Sequence, residues 1–398
     1  MSLAHGTEYL AIPGPSVMPD RVLRAMHRAA PNIYEGALVD MVAGLVPDLQ
    51  AVARTSGKVA MYIANGHGVW EAALSNIVAP EDKIVVLANG RFGHGWADMA
   101  QGLGCEVEVL DFGRSGPVDP EALAPVLAAD KGGRIKAVLV CHTDTASTAR
   151  NDIAAVRQEL DRAGHPALLA ADCIALLACD RFEMDAWGAD LMISACQKGL
   201  MVPPGMGFVF FNDRAAEVRA AMPRVSRYWD WSPRAEPEAF WQYWNGTAPT
   251  HHLYGLREAL NMIGEEGVEN VWARHATLSR AIWAAVEAWG ETGPIRLNVA
   301  EPAQRSHAVT SVFLGNGQGE ALRKWTEAKT GVTLGIGLGM ETEADPHGTD
   351  YLRIGHMGHV NAHMVLGVLG AMQSGLRALG IPHGSGALDA ATEVIAGA

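Results

Sequence analysis

The 398-residue chain is 49 % hydrophobic and 19 % charged, the balance of a packed globular protein rather than a disordered one. Its formal net charge of −13 and the lack of a basic run argue against a general nucleic-acid or anionic-membrane surface. At this length two domains are the default expectation.

In chain order, an arm (residues 1–22) precedes seven short β-rich runs at 58–65, 83–90, 105–112, 135–143, 167–174, 191–198 and 207–212. Amphipathic stretches such as WEAALSNIV and NDIAAVRQELDRAG lie between them. Near-continuous apolar strands alternating with helices predict an α/β fold, a mostly parallel sheet covered on both faces. Residues 223–250, rich in Trp, Tyr and Pro, read as an ordered excursion. A helical pattern from about Tyr254 to Trp289 follows, with Gly264 and Gly267 as breakers. A smaller α/β segment contains HAVTSVFLG and YLRIGH, and the small-residue tail from about 377 reads as a peripheral helix. The expected division is the arm, a large domain at 23–266 and a small C-terminal domain at 267–398.

The five cysteines are Cys105, Cys141, Cys173, Cys179 and Cys196. They form no CxxC pair and sit in apolar segments, so they read as reduced, buried thiols of a cytosolic protein. MSLAHGTEYL has no basic region followed by an apolar core, and no apolar run reaches the ~18 residues of a membrane span. A soluble cytoplasmic protein is expected.

Ligands of such sheets bind at the carboxyl ends of the strands, and four features fall there. ANGHGVWEAAL (64–74) is a strand, a Gly-His-Gly turn and a helix, whose free N–H groups suit a phosphate. CHTDTAST (141–148) ends a strand in hydroxyls, which by itself describes a helix N-cap equally well. Asp172 lies in the apolar run ALLAADCIALLAC, where a carboxylate is costly to bury unless a charge or strong donor meets it. Lys198 ends an apolar strand in SACQKG, ahead of PPG, and is a candidate imine-forming amine. A phosphate cradle, a buried acid and such a lysine together suggest pyridoxal phosphate, with Asp172 facing the pyridinium nitrogen. His251, His252, His356 and His359 have no acidic or cysteine partner nearby in sequence, so structural roles and no metal are expected.

The chain also resembles the class V, fold-type I aminotransferases of the alanine–glyoxylate and serine–glyoxylate group. The resemblance runs through IPGPS (12–16), GHGVWEAALSN (66–76), NGRFG (89–93), the ADCIALL block, SACQKGL with PPGMG, LYGLREAL (253–260) and LRIGHMG (352–358). It implies that Lys198 carries the cofactor and moves the substrate proton, and that Asp172 binds the ring nitrogen. Gly66, His67 and Gly68 would form the phosphate turn, with Gln197 approaching the phosphate. Phe92 would stack on the ring where many relatives have Trp, Thr145 would contact the phenolic oxygen or phosphate, and Ile174 would touch the cofactor. Arg353 would clamp the substrate α-carboxylate. Thr247 and Trp244 would reach the phosphate of a neighbouring subunit, implying a homodimer with shared sites; relatives often have Tyr in place of Trp244. Tyr34 and Glu35 fall where relatives carry substrate-gating residues.

The expected reaction passes the amino group of a small L-amino acid (aspartate or serine before alanine) to glyoxylate, giving glycine and a 2-oxo acid. The alternatives are another class V lyase, a desulfurase, or an aminotransferase using a different 2-oxo acid. A desulfurase needs a persulfide-carrying cysteine on a mobile loop late in the chain, and every cysteine here precedes residue 200.

Overall fold

A computed structural model describes residues 2–398, to which every count below refers. Strand β1 (Tyr9–Ala11) precedes β2 (Lys58–Tyr62), β3 (Lys83–Ala88), β4 (Glu106–Asp111), β5 (Ile135–Cys141), β6 (Leu168–Asp172), β7 (Leu191–Ala195) and β8 (Gly207–Phe211). Strands β2 to β8 are the seven predicted runs, each shortened at its carboxyl end. They form one sheet in the order β2-β8-β7-β6-β5-β3-β4, parallel except that β8 runs against both of its neighbours.

The apolar runs lack polar alternation because both faces of this sheet are covered. In β3, Ile84 and Val86 enter one core while Val85 and Leu87 enter the other; in β5, Ala137 and Leu139 oppose Val138 and Val140. Helices Gly66–Ile77 and Arg91–Gly102 cover the first face with Val69, Trp70, Ile77 and Trp96. Helix Ile153–Arg162 covers the second with Ile153, Val156 and Leu160. The register places Cys141 beside Asp172 and Asp172 beside Ile193, so the segments after β5, β6 and β7 leave the sheet side by side.

The aromatic excursion is ordered, as predicted. It contains the short helix Ser232–Ala235 and a 3-10 turn at Phe240–Tyr243. Buried Arg234 pins it by donating to the carbonyls of Met61, Tyr228 and Tyr243, and Trp231 stacks on Phe211 with ring centroids 4.4 Å apart. The long helical pattern divides into Thr250–Glu266 and Val268–Gly290. Gly267, at φ 84°, makes the break, whereas Gly264 stays inside the first helix.

A second sheet combines β1 with β9 (Arg296–Leu297), β10 (Val309–Phe313), β11 (Val332–Ile336) and β12 (Tyr351–Gly355), in the order β1-β11-β12-β10-β9. The N-terminal arm is thus stitched by β1, parallel to β11, into a sheet made from the last third of the chain. Leu334, Leu352 and Ile354 of this sheet pack with Trp289 and Leu369 in a third core. The tail is the helix Ala387–Ala396, which buries Ala387 and Ala391 there. Among the described residues, no helix is long and apolar enough to cross a membrane.

Candidate active site

A cavity of about 190 Å³ opens at the carboxyl end of the large sheet, lined by Gly66, His67, Phe92, Thr145, Asp172, Ile174, Gln197 and Lys198 among others. Eight of the residues marked from sequence therefore meet in one place. Asn65, Trp70, Thr143 and Ala175 complete the lining.

The helix Gly66–Ile77 begins at Gly66 itself, so the Gly-His-Gly segment is its first turn rather than a loop ahead of it. Asn65 caps it, its side chain accepting from the Gly68 amide at 3.1 Å. The amides of Gly66 and His67 are first-turn donors with no acceptor inside the helix, and the dipole there favours an anion. Close approach requires glycine at Gly68 and crowds Gly66 only against a movable side-chain tip. A Cβ on Gly66 would lie 2.8 Å from Cδ1 of Ile174, and one on Gly68 would lie 2.9 Å from Cβ of Ala64.

Asp172 ends β6 and is 4 % exposed. Its Oδ1 accepts from the Ile174 amide at 2.7 Å and its Oδ2 from the Trp70 indole at 2.8 Å. The Cys141 thiol lies 3.9 Å from Oδ2. Burial is the largest influence and pushes the carboxyl up to about 6, against the two donors and Lys198, which favour the charged form.

Lys198 follows β7, and its Nζ donates to the Pro13 carbonyl. The IPGPS segment closes over it: Ser16 donates from its hydroxyl to the Lys198 carbonyl at 2.7 Å and from its amide to the Gln197 carbonyl at 2.9 Å. Gly14 leaves room for this, since a Cβ there would collide with the lysine side chain. Burial brings the ammonium down to about 8, helped by the Arg353 charge and opposed by Asp172.

Arg353 comes from β12 of the second sheet and is 5 % exposed. Its Nε donates to the Ile336 carbonyl at 2.7 Å and its Nη1 to the Thr145 carbonyl at 2.8 Å, leaving Nη2 without a protein partner among the described residues. Burial lowers this group to about 10, so it stays charged at neutral pH. Asp144, missed from sequence, organises the loop between them. It accepts from the amides of Phe92 and Gly93 at 2.7 and 3.1 Å and from Ala146 at 2.8 Å. One buried carboxylate thus caps the helix Arg91–Gly102 and sets where Phe92 sits. The aspartate at the centre of CHTDTAST was the available signal.

Six marked residues do not line this cavity: Gly68, in the turn beside it, Arg353, bonded to the Thr145 carbonyl, and Tyr34, Glu35, Trp244 and Thr247. Tyr34 is 87 % exposed, and Glu35 and Thr247 are also exposed. Trp244 departs from the expected outward role: its side chain is buried in the large core, with an indole N–H that finds no partner. His251, His252 and His356 bond to the Arg28 carbonyl, the Pro204 carbonyl and the Thr310 hydroxyl respectively. No group of three or more His, Cys, Asp or Glu side chains with metal-holding geometry occurs among the described residues.

The donor set fits pyridoxal phosphate. The helix start offers free amides to a phosphate, Asp172 is a buried acid held open by two donors, and Lys198 is a partly neutral amine. Two pocket polar atoms, Oε1 of Gln197 and Oγ1 of Thr143, are buried without partners and await a ligand group.

Comparison with known proteins agrees. The family model for class-V aminotransferases matches residues 63–341. The chain is 36 % identical to a serine–glyoxylate aminotransferase of Methylorubrum extorquens, over 93 % of this chain and 91 % of that protein. It is 32 % identical to an L-aspartate–glyoxylate aminotransferase of Paracoccus denitrificans, again over 93 % and 91 %. The crystal structure of a ureidoglycine–glyoxylate aminotransferase from Bacillus subtilis superposes with a TM-score of 0.87 at 26 % identity, covering 99 % of this chain and 100 % of that one. The chain belongs to the class-V aminotransferases, enzymes of fold type I that depend on pyridoxal phosphate.

Proposed function

We propose that this enzyme moves the amino group of a small L-amino acid, aspartate or serine ahead of alanine, to glyoxylate in a ping-pong cycle. The observation that carries the reading is that Lys198 and Asp172 line one small cavity while Arg353, from the second sheet, donates to the carbonyl of Thr145 on its wall. Relatives named for serine–glyoxylate and L-aspartate–glyoxylate transfer support the choice of acceptor and leave two donors in play.

Pyridoxal phosphate, when bound, supplies the carbonyl that takes up the amino group and a ring that withdraws electrons from the substrate Cα. The amides of Gly66 and His67 and the Gln197 side chain would hold its phosphate, with Gly68 keeping the turn close; Thr145 would contact its phenolic oxygen or phosphate, Phe92 would stack on its ring and Ile174 would touch it. Asp172, ionised, holds a proton on the ring nitrogen. Lys198 Nζ would take the proton from the substrate Cα and deliver it to the cofactor carbon that keeps the amino nitrogen, a task suited to an amine lowered to about 8. Arg353 presents the outer edge of its guanidinium to the α-carboxylate of donor and acceptor in turn. Glyoxylate has no side chain and demands nothing more of a cavity this small.

Thr247, Tyr34 and Glu35, exposed here, act on the site of a second copy in a homodimer; Trp244 supports that segment from the core. A desulfurase reading is disfavoured because all five cysteines are buried and none lies on an exposed loop. Steady-state rates with serine, aspartate and alanine, each against glyoxylate, pyruvate, oxaloacetate and 2-oxoglutarate, test the proposal. Glyoxylate gives the highest kcat/KM. A higher value for 2-oxoglutarate contradicts it, because glyoxylate would then not be the preferred acceptor.

A further inference from the structure

The sequence presents Trp70 only as a core aromatic, yet it is bonded to the acid of the site. Trp70 is 1 % exposed, and its indole N–H donates to Oδ2 of Asp172 at 2.8 Å. An indole can only donate and does not ionise, so it favours the charged carboxylate over the neutral acid. The ring has no freedom to turn away. It stacks on Trp96 (centroids 6.0 Å apart, planes 14° apart) and meets His67 and Phe92 edge-on at 4.7 and 6.3 Å. Gly66 and Trp70 are four residues apart on one helix, so they share a face. The helix that offers amides to a phosphate at its first turn therefore grips Asp172 one turn later.

We propose that Trp70 is a positioning residue that keeps Asp172 ionised and turned toward the cofactor's ring nitrogen, linking the seating of the phosphate to protonation of the ring. The inference rests on Asp172 being the ring-nitrogen acid. The groups facing that carboxylate are Cys141 from β5, Asp144 from the loop after it, the adjacent Cys173, and Lys198 from beyond β7. Asp144 opposes its ionisation and Lys198 favours it, while burial opposes it most strongly. The two neutral thiols supply no compensating charge. Trp70 and the Ile174 amide are the donors that offset burial.

The test uses the cofactor-free protein, so it does not depend on which substrates the enzyme prefers. Trp70→Phe keeps an aromatic ring against Trp96 and removes the N–H. The titration of Asp172 is followed by carbon-13 NMR of aspartate-labelled protein and assigned with Asp172→Asn. The variant's midpoint moves up by about one pH unit, and its dissociation constant for pyridoxal phosphate rises roughly tenfold, the scale of one hydrogen bond to a charged group. A midpoint within about 0.3 pH unit of wild type, with a dissociation constant within twofold, reduces Trp70 to packing. Should the variant not fold, nitrogen-15 indole spectra of the wild type decide instead. One indole resonance follows the Asp172 midpoint and loses that dependence in Asp172→Asn; indole resonances all insensitive to that titration overturn the proposal.

Discussion

Arg353 donates to the carbonyl of Thr145 at 2.8 Å across 208 residues of sequence. This bond joins the second sheet to the loop after β5 and fixes the guanidinium beside Lys198. Its Nε is spent on the Ile336 carbonyl, so the side chain is oriented before any substrate arrives. Arg353→Lys keeps the charge but loses the fork. KM for donor and acceptor alike rises by roughly 10- to 100-fold, the range of ~1.5–3 kcal/mol for a charged hydrogen bond. Unchanged KM values for both would show that another group binds the carboxylate.

Lys198→Ala abolishes turnover and also the lysine–cofactor adduct that borohydride traps in wild type. Peptide mapping of the reduced protein reads this directly. A reducible adduct surviving in the variant would mean that another of the chain's seven lysines does the chemistry.

Burial of Lys198 also leaves a signature in stability. Its ammonium falls from 10.5 to about 8 in the folded chain. Between those values the unfolded state binds more protons than the folded one, so stability rises with pH. The cost of burying the charge is fully present below pH 8 and is relieved toward pH 10.5. Cofactor-free Lys198→Met is therefore more stable than wild type at pH 7 by up to ~3 kcal/mol, at 1.36 kcal/mol per unit. The gap narrows as pH rises through this window. Urea midpoints of the two proteins from pH 7 to 10.5 measure it, and a gap that widens would refute the assignment.

Much of this was legible in the chain. The seven strands were readable because both faces of the sheet are buried, leaving continuous apolar runs. Lys198 and Asp172 were readable because charges at the ends of such runs need a reason. Trp70 and Asp144 were not. Trp70 sits at a helical spacing that also suits core packing, and its bond to Asp172 spans 102 residues. Asp144 looked like one polar residue among hydroxyls, and its role depends on the helix Arg91–Gly102 arriving above it. The break at Gly267 rather than Gly264 follows from φ, which composition does not reveal.

Asp144→Ala strips acceptors from the amides of Phe92, Gly93 and Ala146. Loss of a cap together with buried unpaired donors costs about 1–3 kcal/mol. The urea midpoint falls at unchanged m-value, and affinity for pyridoxal phosphate falls with it because Phe92 is no longer held. An unaltered midpoint would remove Asp144 from this account.

A shared site predicts complementation between chains. Lys198→Ala and Thr247→Ala proteins, each impaired alone, recover activity when mixed and allowed to exchange subunits, because the hybrid dimer holds one intact site. Full activity from a species of monomer mass at low micromolar concentration would rule out sharing.

The most direct test of amino transfer to glyoxylate is a single turnover with nitrogen-15-labelled donor. Holoenzyme given labelled serine or aspartate without an acceptor releases one 2-oxo acid per site and stops. Glyoxylate added after removal of free donor then yields one equivalent of nitrogen-15 glycine per site. Labelled ammonia in place of labelled glycine, or release of the 2-oxo acid that continues without glyoxylate, would contradict the account.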